Sequence, residues 1–188
     1  MNSTYQEMEQ TDIKARLYID APLAEGAVIT LPSDQMHYLL HVLRLNLGAV
    51  IGVFNGVDGE FNASITAVAK KQCSITIADQ RRQQIYCRDL WLLFAPVKKA
   101  RLDFIAQKAS ELGVRVIWPV KTDYCQISRV NDDRLAANAI EAAEQTERLD
   151  IAEIRSFDPL HDVLAACDDD RLLIWCDEVS AGHPALNI

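Results

Sequence analysis

Close to the middle of the chain the hydrophobic period changes, and that change limits what the chain can fold into. Up to residue 78, apolar residues recur at alternate positions in short runs separated by turn signals. The runs 16–19 (RLYI), 27–31 (AVITL) and 50–54 (VIGVF) come first. After Asn55-Gly56 and Asp58-Gly59 the alternation resumes through Phe61, Ala63, Ile65 and Ala67, then Cys73, Ile75 and Ile77. Short strands with turns between them predict a small barrel or open sheet. One helix interrupts this part, with Ser33 as its N-cap and Met36, Leu39, Leu40 and Leu43 at helical spacing, ending near Gly48. The polar run 79–84 (DQRRQQ) marks the expected boundary.

Beyond it, apolar strands alternate with helices. Residues 90–97 (LWLLFAPV) form a continuous apolar strand of the kind buried on both faces. Residues 98–112 read as a helix with Leu102, Ile105, Ala109 and Leu112 on one face and Gly113 as its stop. A second buried strand follows at 114–120. Asn131 then caps a helix running to about Arg148. Asp158-Pro159 opens a further helix with proline at the first helical position, and 172–176 (LLIWC) reads as a last strand. Such alternation predicts a parallel α/β sheet. The division expected is a flexible extension over 1–13, a β-rich domain over 14–80 and an α/β domain over 86–188.

Composition narrows the function classes. An apolar fraction of 49% excludes wholesale disorder. No apolar run reaches the roughly 18 residues of a membrane span, and the first residues lack the apolar core of a secretory signal, so a cytoplasmic protein without membrane contact is expected. Five scattered cysteines without a C-x-x-C pair, and four histidines without a ligand cluster, suggest buried thiols and no metal site. The net charge of −8 conceals a pattern. Residues 1–85 hold seven basic and nine acidic side chains, residues 86–129 eight against four, and residues 130–188 four against fourteen. A polyanion responds to local charge, so the middle segment is a candidate contact region.

No G-x-G-x-x-G, Walker loop, H-E-x-x-H or G-x-S-x-G occurs. Four other stretches are candidates. His37, His41 and Arg44 fall at i, i+4 and i+7, so one helix face could offer donors to phosphates or a loop base; a solvated polar face has the same spacing. Lys98, Lys99 and Arg101 follow a buried strand, at the edge where parallel sheets bind ligands. Cations opening a helix oppose its dipole, so their placement asks for a reason. Glu144 and Arg148 at i, i+4 could form an ion pair, with Gln145 beside them able to read a base edge. Lys108 and Glu111 at i, i+3 read as a structural pair.

Together VLRLNLGAVIGVFNGVDGEFNASI, KKARLDFIAQKASELGVRVIWPVKT and RLAANAIEAAEQTERLDIAEI resemble the RsmE ribosomal RNA methyltransferases of the knotted SPOUT class, from about Arg16 to Glu178. The resemblance implies a PUA-like RNA-binding β-barrel followed by a partial SPOUT parallel-sheet domain. It implies S-adenosylmethionine-dependent methylation of nitrogen-3 of a uridine in 16S rRNA of the small ribosomal subunit, by a protein that is a homodimer when intact. By position, Arg16, His37 and Arg44 match barrel segments that face RNA, and Lys98, Lys99, Arg101 and Lys108 match the family's basic strand–helix element. Glu144, Gln145 and Arg148 match its E-x-x-E-Q-x-x-R stretch near the active cleft and are the catalytic candidates. The proton acceptor stays unassigned: Glu144 could serve, but pairing with Arg148 is its simpler role.

Two departures from the family pattern matter. Relatives carry an arginine shortly after the threonine of P-V-x-T, where Thr122 is followed here by Asp123 and Tyr124. Relatives also continue into a G-P-E-G-G loop and an L-x-x-R-I-L-R-x-E-T-A stretch that hold the cofactor, and the cofactor site is therefore expected beyond Ile188. Cradling a cofactor by backbone amides calls for glycine, and after Gly113 the sequence has only Gly182. The chain alone is expected to be inactive. A non-catalytic RNA-binding module is the alternative reading, and an interaction protein docking through its acidic last third is a further one.

Overall fold

The computed structural model describes residues 13–125 and 127–176. The expected extension over 1–13 lies almost wholly outside the described residues. The N-terminal part is a five-stranded sheet of β1 (Arg16–Tyr18), β2 (Val28–Thr30), β3 (Val50–Phe54), β4 (Glu60–Ala69) and β5 (Gln72–Arg82), in the order β1-β3-β4-β5-β2. β1 and β3 are parallel and the other pairs antiparallel. Register follows the alternation: Leu17 faces Val53, Ile51 faces Ala63 and Ile65 faces Ile75, so one face is continuously apolar. That face closes over Leu31 and Leu39 to make the first core. Among the described residues no pairing joins the edge strands β1 and β2, so the strands form an open ladder.

α1 (Ser33–His37) runs directly into a π-helical turn at Tyr38–Val42. Two expectations change here. Ser33 is the first helical residue, with Pro32 before it and no side-chain cap, because the rigid φ of proline already sets the entry. The helix stops at Val42, not near Gly48, since Arg44 enters the left-handed region at φ 56°. The polar run 79–84 is also not a break. β5 continues to Arg82, opposite Glu60 on β4, because charge pairing between strands replaces apolar contact there.

The second part is a parallel sheet of β6 (Trp91–Phe94), β7 (Val116–Lys121) and β8 (Glu153–Ile154), with β9 (Asp158–Pro159) also pairing with β7. α2 (Lys99–Glu111) and α3 (Asp132–Gln145) cover one face through Ala109, Ile117 and Ala139, and through Leu102, Ala106 and Leu135. α4 (Leu160–Ala165) covers the other with Val163 against Val116, Trp118 and Val120. Central β7 is therefore buried on both faces, whereas β6, paired on one side among the described residues, is half-buried. The expected strand at 172–176 is not formed. Leu172, Leu173, Ile174 and Trp175 are exposed without ladder partners among the described residues. An apolar run becomes a strand only where a neighbour satisfies its backbone.

Leu112 is 81% exposed at the end of α2, because Gly113 at φ 81° turns the chain away before Leu112 can join the apolar face. Pro159 precedes α4 and is not its first residue. Of the five cysteines, only Cys73 is buried and Cys176 is exposed; all are free thiols. Among the described residues no side-chain cluster could hold a metal, and no helix is long and apolar enough to cross a membrane.

Candidate nucleic-acid interface

Because β6 and β7 run parallel, their carboxyl ends lie side by side, and the loops that follow form one edge. Cys125 Sγ lies 4.0 Å from the Pro96 carbonyl, which ties the two loops together. The β6 loop delivers Lys98 to the start of α2, followed by Lys99 and Arg101 in its first turn; Lys98 and Arg101 are exposed. β7 ends on exposed Lys121, and the loop after it adds exposed Arg129 and Tyr124 at 96% exposure. Exposed cations and an accessible ring on one sheet edge suit a single-stranded nucleic acid, whose phosphates attract the charges while a base stacks on the ring. Sequence spacing did not single out Lys121, Tyr124 or Arg129, since it is the parallel pairing of two distant strands that puts the carboxyl end of β7 beside that of β6.

A second cationic place lies on the N-terminal sheet. Lys14, Arg44, Leu45, Asn46, Leu47, Ala49 and Val50 line a shallow open groove of about 460 Å³. His37 and His41 sit one turn apart with ring centres 5.1 Å apart, both exposed. Arg44 leaves their helical face because of its left-handed backbone, so the expected three-residue face reduces to the two histidines. Lys108 pairs with Glu111 at 2.6 Å, as its spacing predicted.

The remaining candidates belong to the junction between the two parts. Arg16 was expected to face RNA; instead its guanidinium is buried. It donates to Glu60 at 2.9 Å, to the Arg148 carbonyl at 2.6 Å and to the Ala143 carbonyl, and it lies 3.7 Å from the centre of the Phe54 ring. With these donors committed inside, little of the guanidinium is left to reach a phosphate. Glu144 does not pair with Arg148, because α3 ends at Gln145 and Glu147 takes φ 58°. Its carboxylate accepts the Tyr18 N–H at 2.8 Å. Burial pushes the Glu144 pKa up, opposed by that hydrogen bond and by Arg16. Arg148 turns inward to Asp150, with Nε 2.8 Å from Oδ1, and donates to the Ser110 carbonyl at 2.9 Å. Gln145 is exposed and reaches Glu141 at 3.4 Å. The structure thus brings Arg16 and Glu144 together but separates Glu144 from Arg148.

Residues 85–187 match the family model of an RNA methyltransferase domain, and residues 31–78 that of an RNA methyltransferase PUA domain. The chain is 35% identical over 164 residues to a ribosomal RNA small subunit methyltransferase E of Rickettsia conorii, covering 87% of this chain and 66% of that protein. The equivalent Buchnera aphidicola protein is 28% identical over 155 residues, covering 74% and 58%. Among solved structures, a Legionella pneumophila methyltransferase in complex with SAM is 29% identical at a TM-score of 0.65, covering 78% of this chain and 62% of that one. The methyltransferase E of Neisseria gonorrhoeae bound to S-adenosyl methionine shares the fold at a TM-score of 0.75 and 24% identity, covering 82% and 66%. The chain spans less than two thirds of the length of each of these proteins. With a family model matched over more than half of its length, the chain belongs to the RNA methyltransferase family and within it closely resembles the RsmE proteins.

Proposed function

We propose that this chain serves S-adenosylmethionine-dependent methylation of nitrogen-3 of a uridine in 16S rRNA of the small ribosomal subunit. The observation that carries the reading is the cationic edge at the carboxyl ends of β6 and β7 in a chain of the RNA methyltransferase family. The N-terminal sheet is read as a PUA-like barrel over about 14–80 that holds RNA. Residues 86–188 are read as part of a SPOUT domain, in a cytoplasmic protein that acts as a homodimer. Of the candidate contacts, Lys98, Lys99 and Arg101 form the principal phosphate set, with His37, His41 and Arg44 as a second, and Tyr124 offers a stacking surface. Tyr124 stands where the family pattern has an arginine nearby, so stacking takes over part of a phosphate contact.

The chemistry asks that the uridine leave its stack and that its N3–H lose a proton as the methyl group arrives. The described residues do not by themselves fit the cofactor. From 114 to 176 there is no glycine, the residue that lets backbone amides come closest to a bound group. Glu144, whose carboxylate is held by the Tyr18 N–H, is read as a positioning residue rather than the proton acceptor.

The absence of glycine from 114 to 176 also keeps a second reading open, an RNA-binding module without transferase activity. Binding of a 16S rRNA fragment tests the shared element. Lys98→Ala with Arg101→Ala should weaken binding and make the slope of log K against log salt shallower by about 1.4, two contacts at roughly 0.7 each for single strands. An unchanged slope sinks the RNA reading. Methyl transfer from labelled S-adenosylmethionine to that fragment separates the enzyme from the module.

A further inference from the structure

The least expected group in the molecule is Glu60, whose side chain is 0% exposed in the middle of a charged cluster. Arg16 donates to its Oε1 at 2.9 Å, Arg82 donates to its Oε2, and Arg81 stands 3.8 Å away. The strand beside it makes room. A Cβ on Gly52 would lie 2.8 Å from the Glu60 carboxylate, so only glycine lets the charge sit there. Burying a carboxylate costs free energy that an apolar pair of similar size would not, so stability alone gives no reason for the arrangement.

The arrangement instead provides direction. Both arginines that hold Glu60 reach out of the N-terminal sheet toward the end of α3. Arg16 spans 132 residues of sequence to the Arg148 carbonyl and also reaches that of Ala143. Arg82 donates to the Glu147 carbonyl at 3.2 Å and lies 3.8 Å from its carboxylate. The Ala143 carbonyl is one that the last turn of α3 leaves without a helical partner, and those of Glu147 and Arg148 belong to the segment that leaves the helix. Glu144 answers from the other side by accepting the Tyr18 N–H of β1. Glu60 therefore aims two guanidinium forks, and the forks hold the end of α3 in one orientation.

We infer that Glu60, Arg16 and Arg82 form a latch that fixes the N-terminal sheet against the α/β part, so that two cationic surfaces meet one RNA as a rigid body. The inference rests on the RNA-binding reading above. Rigid coupling makes the second surface's contact intramolecular once the first is bound, which raises affinity without any new contact. The latch residues are positioning residues, since Arg16 and Glu60 face the junction and not the solvent.

The test uses the full chain with Glu60→Gln, Arg16→Lys and Arg82→Lys, the last at the half-exposed edge of the latch, where folding is least at risk. Two probes are titrated against salt: a 16S rRNA hairpin long enough to span both parts, and a uridine tetranucleotide that reaches only one. The latch predicts an affinity loss of at least about tenfold for the hairpin with a shallower salt slope, and no change for the tetranucleotide. A purely structural role would move both probes together, in step with the folded fraction seen by circular dichroism. Hairpin affinity and slope unchanged in folded variants would overturn the latch alone. Failure of the unsubstituted chain to bind either probe would overturn the RNA reading, and the inference with it.

Discussion

Two carboxylates six positions apart on the chain, Glu144 and Asp150, end on opposite sides of the ordinary carboxylate value. Asp150 is nearly enclosed, and burial alone would push its carboxyl up. Bonds from Arg148 and the Cys87 N–H outweigh that and hold it below the ordinary carboxylate value. Its ionised form therefore contributes stability above its unfolded pKa, and the contribution is lost as the pH falls through the folded one. Arg148→Met should cost about 3–5 kcal/mol at neutral pH, because it leaves the Asp150 charge buried without its partner; urea unfolding midpoints measure it. Asp150→Asn should flatten the acid limb of the stability curve. Glu144 has the opposite sign. Burial raises its folded value, so stability falls as the pH climbs from the ordinary value through the raised one. Glu144→Gln keeps an oxygen for the Tyr18 N–H and should remove that decline. An unaltered pH profile in the variant would show that the carboxylate is not strained by burial.

The two ends of α3 show which information is local. Its start depends on Asn131, whose side chain accepts the Arg134 N–H at 3.0 Å, and capping residues advertise themselves by type and position. Asn131→Ala should therefore lower stability by about 1 kcal/mol, read from the thermal midpoint. Its other end is set by Arg16 and Arg82, more than 60 residues away in sequence, which take up the carbonyls of Ala143, Glu147 and Arg148. Nothing between 141 and 148 announces that, and so the residue pattern alone predicts a helix to about Arg148 with a Glu144–Arg148 pair at its end. The same distinction separates the other elements. β3, β4 and most of β5 follow from alternation, because one buried face imposes period two. The tail of β5 does not, since its pairing depends on Glu60. Lys98, Lys99 and Arg101 were readable as a basic strand–helix edge, whereas Tyr124 and Arg129 join them only through the pairing of β6 with β7.

At the scale of the whole molecule, two cores of separate origin are held together by a small third one. The N-terminal core draws only on residues between 15 and 77, and the α/β cores only on residues beyond 90. Between them lie Phe54, Ala143 and Leu149, with Tyr18 packed edge-on to Phe54 at 5.9 Å. Phe54 is fully buried and carries the Arg16 guanidinium on its face, so it is both the apolar centre of the junction and the platform of the ionic contacts. Two cores joined in this way unfold together as long as the junction is worth more than the difference in their separate stabilities. Calorimetry of the unsubstituted chain should accordingly give one transition whose van't Hoff and calorimetric enthalpies agree. Phe54→Ala removes about 3–5 kcal/mol of contact, nearly all of it at the junction, because β3 keeps its ladder to β1 and β4. The expected result is two resolved transitions, with the one that loses tryptophan fluorescence belonging to the α/β part, where Trp91, Trp118 and Trp175 all reside. A single transition shifted downward would mean that the cores communicate by a route other than Phe54, such as the polar contacts of Arg16, Arg82 and Glu144 across the junction.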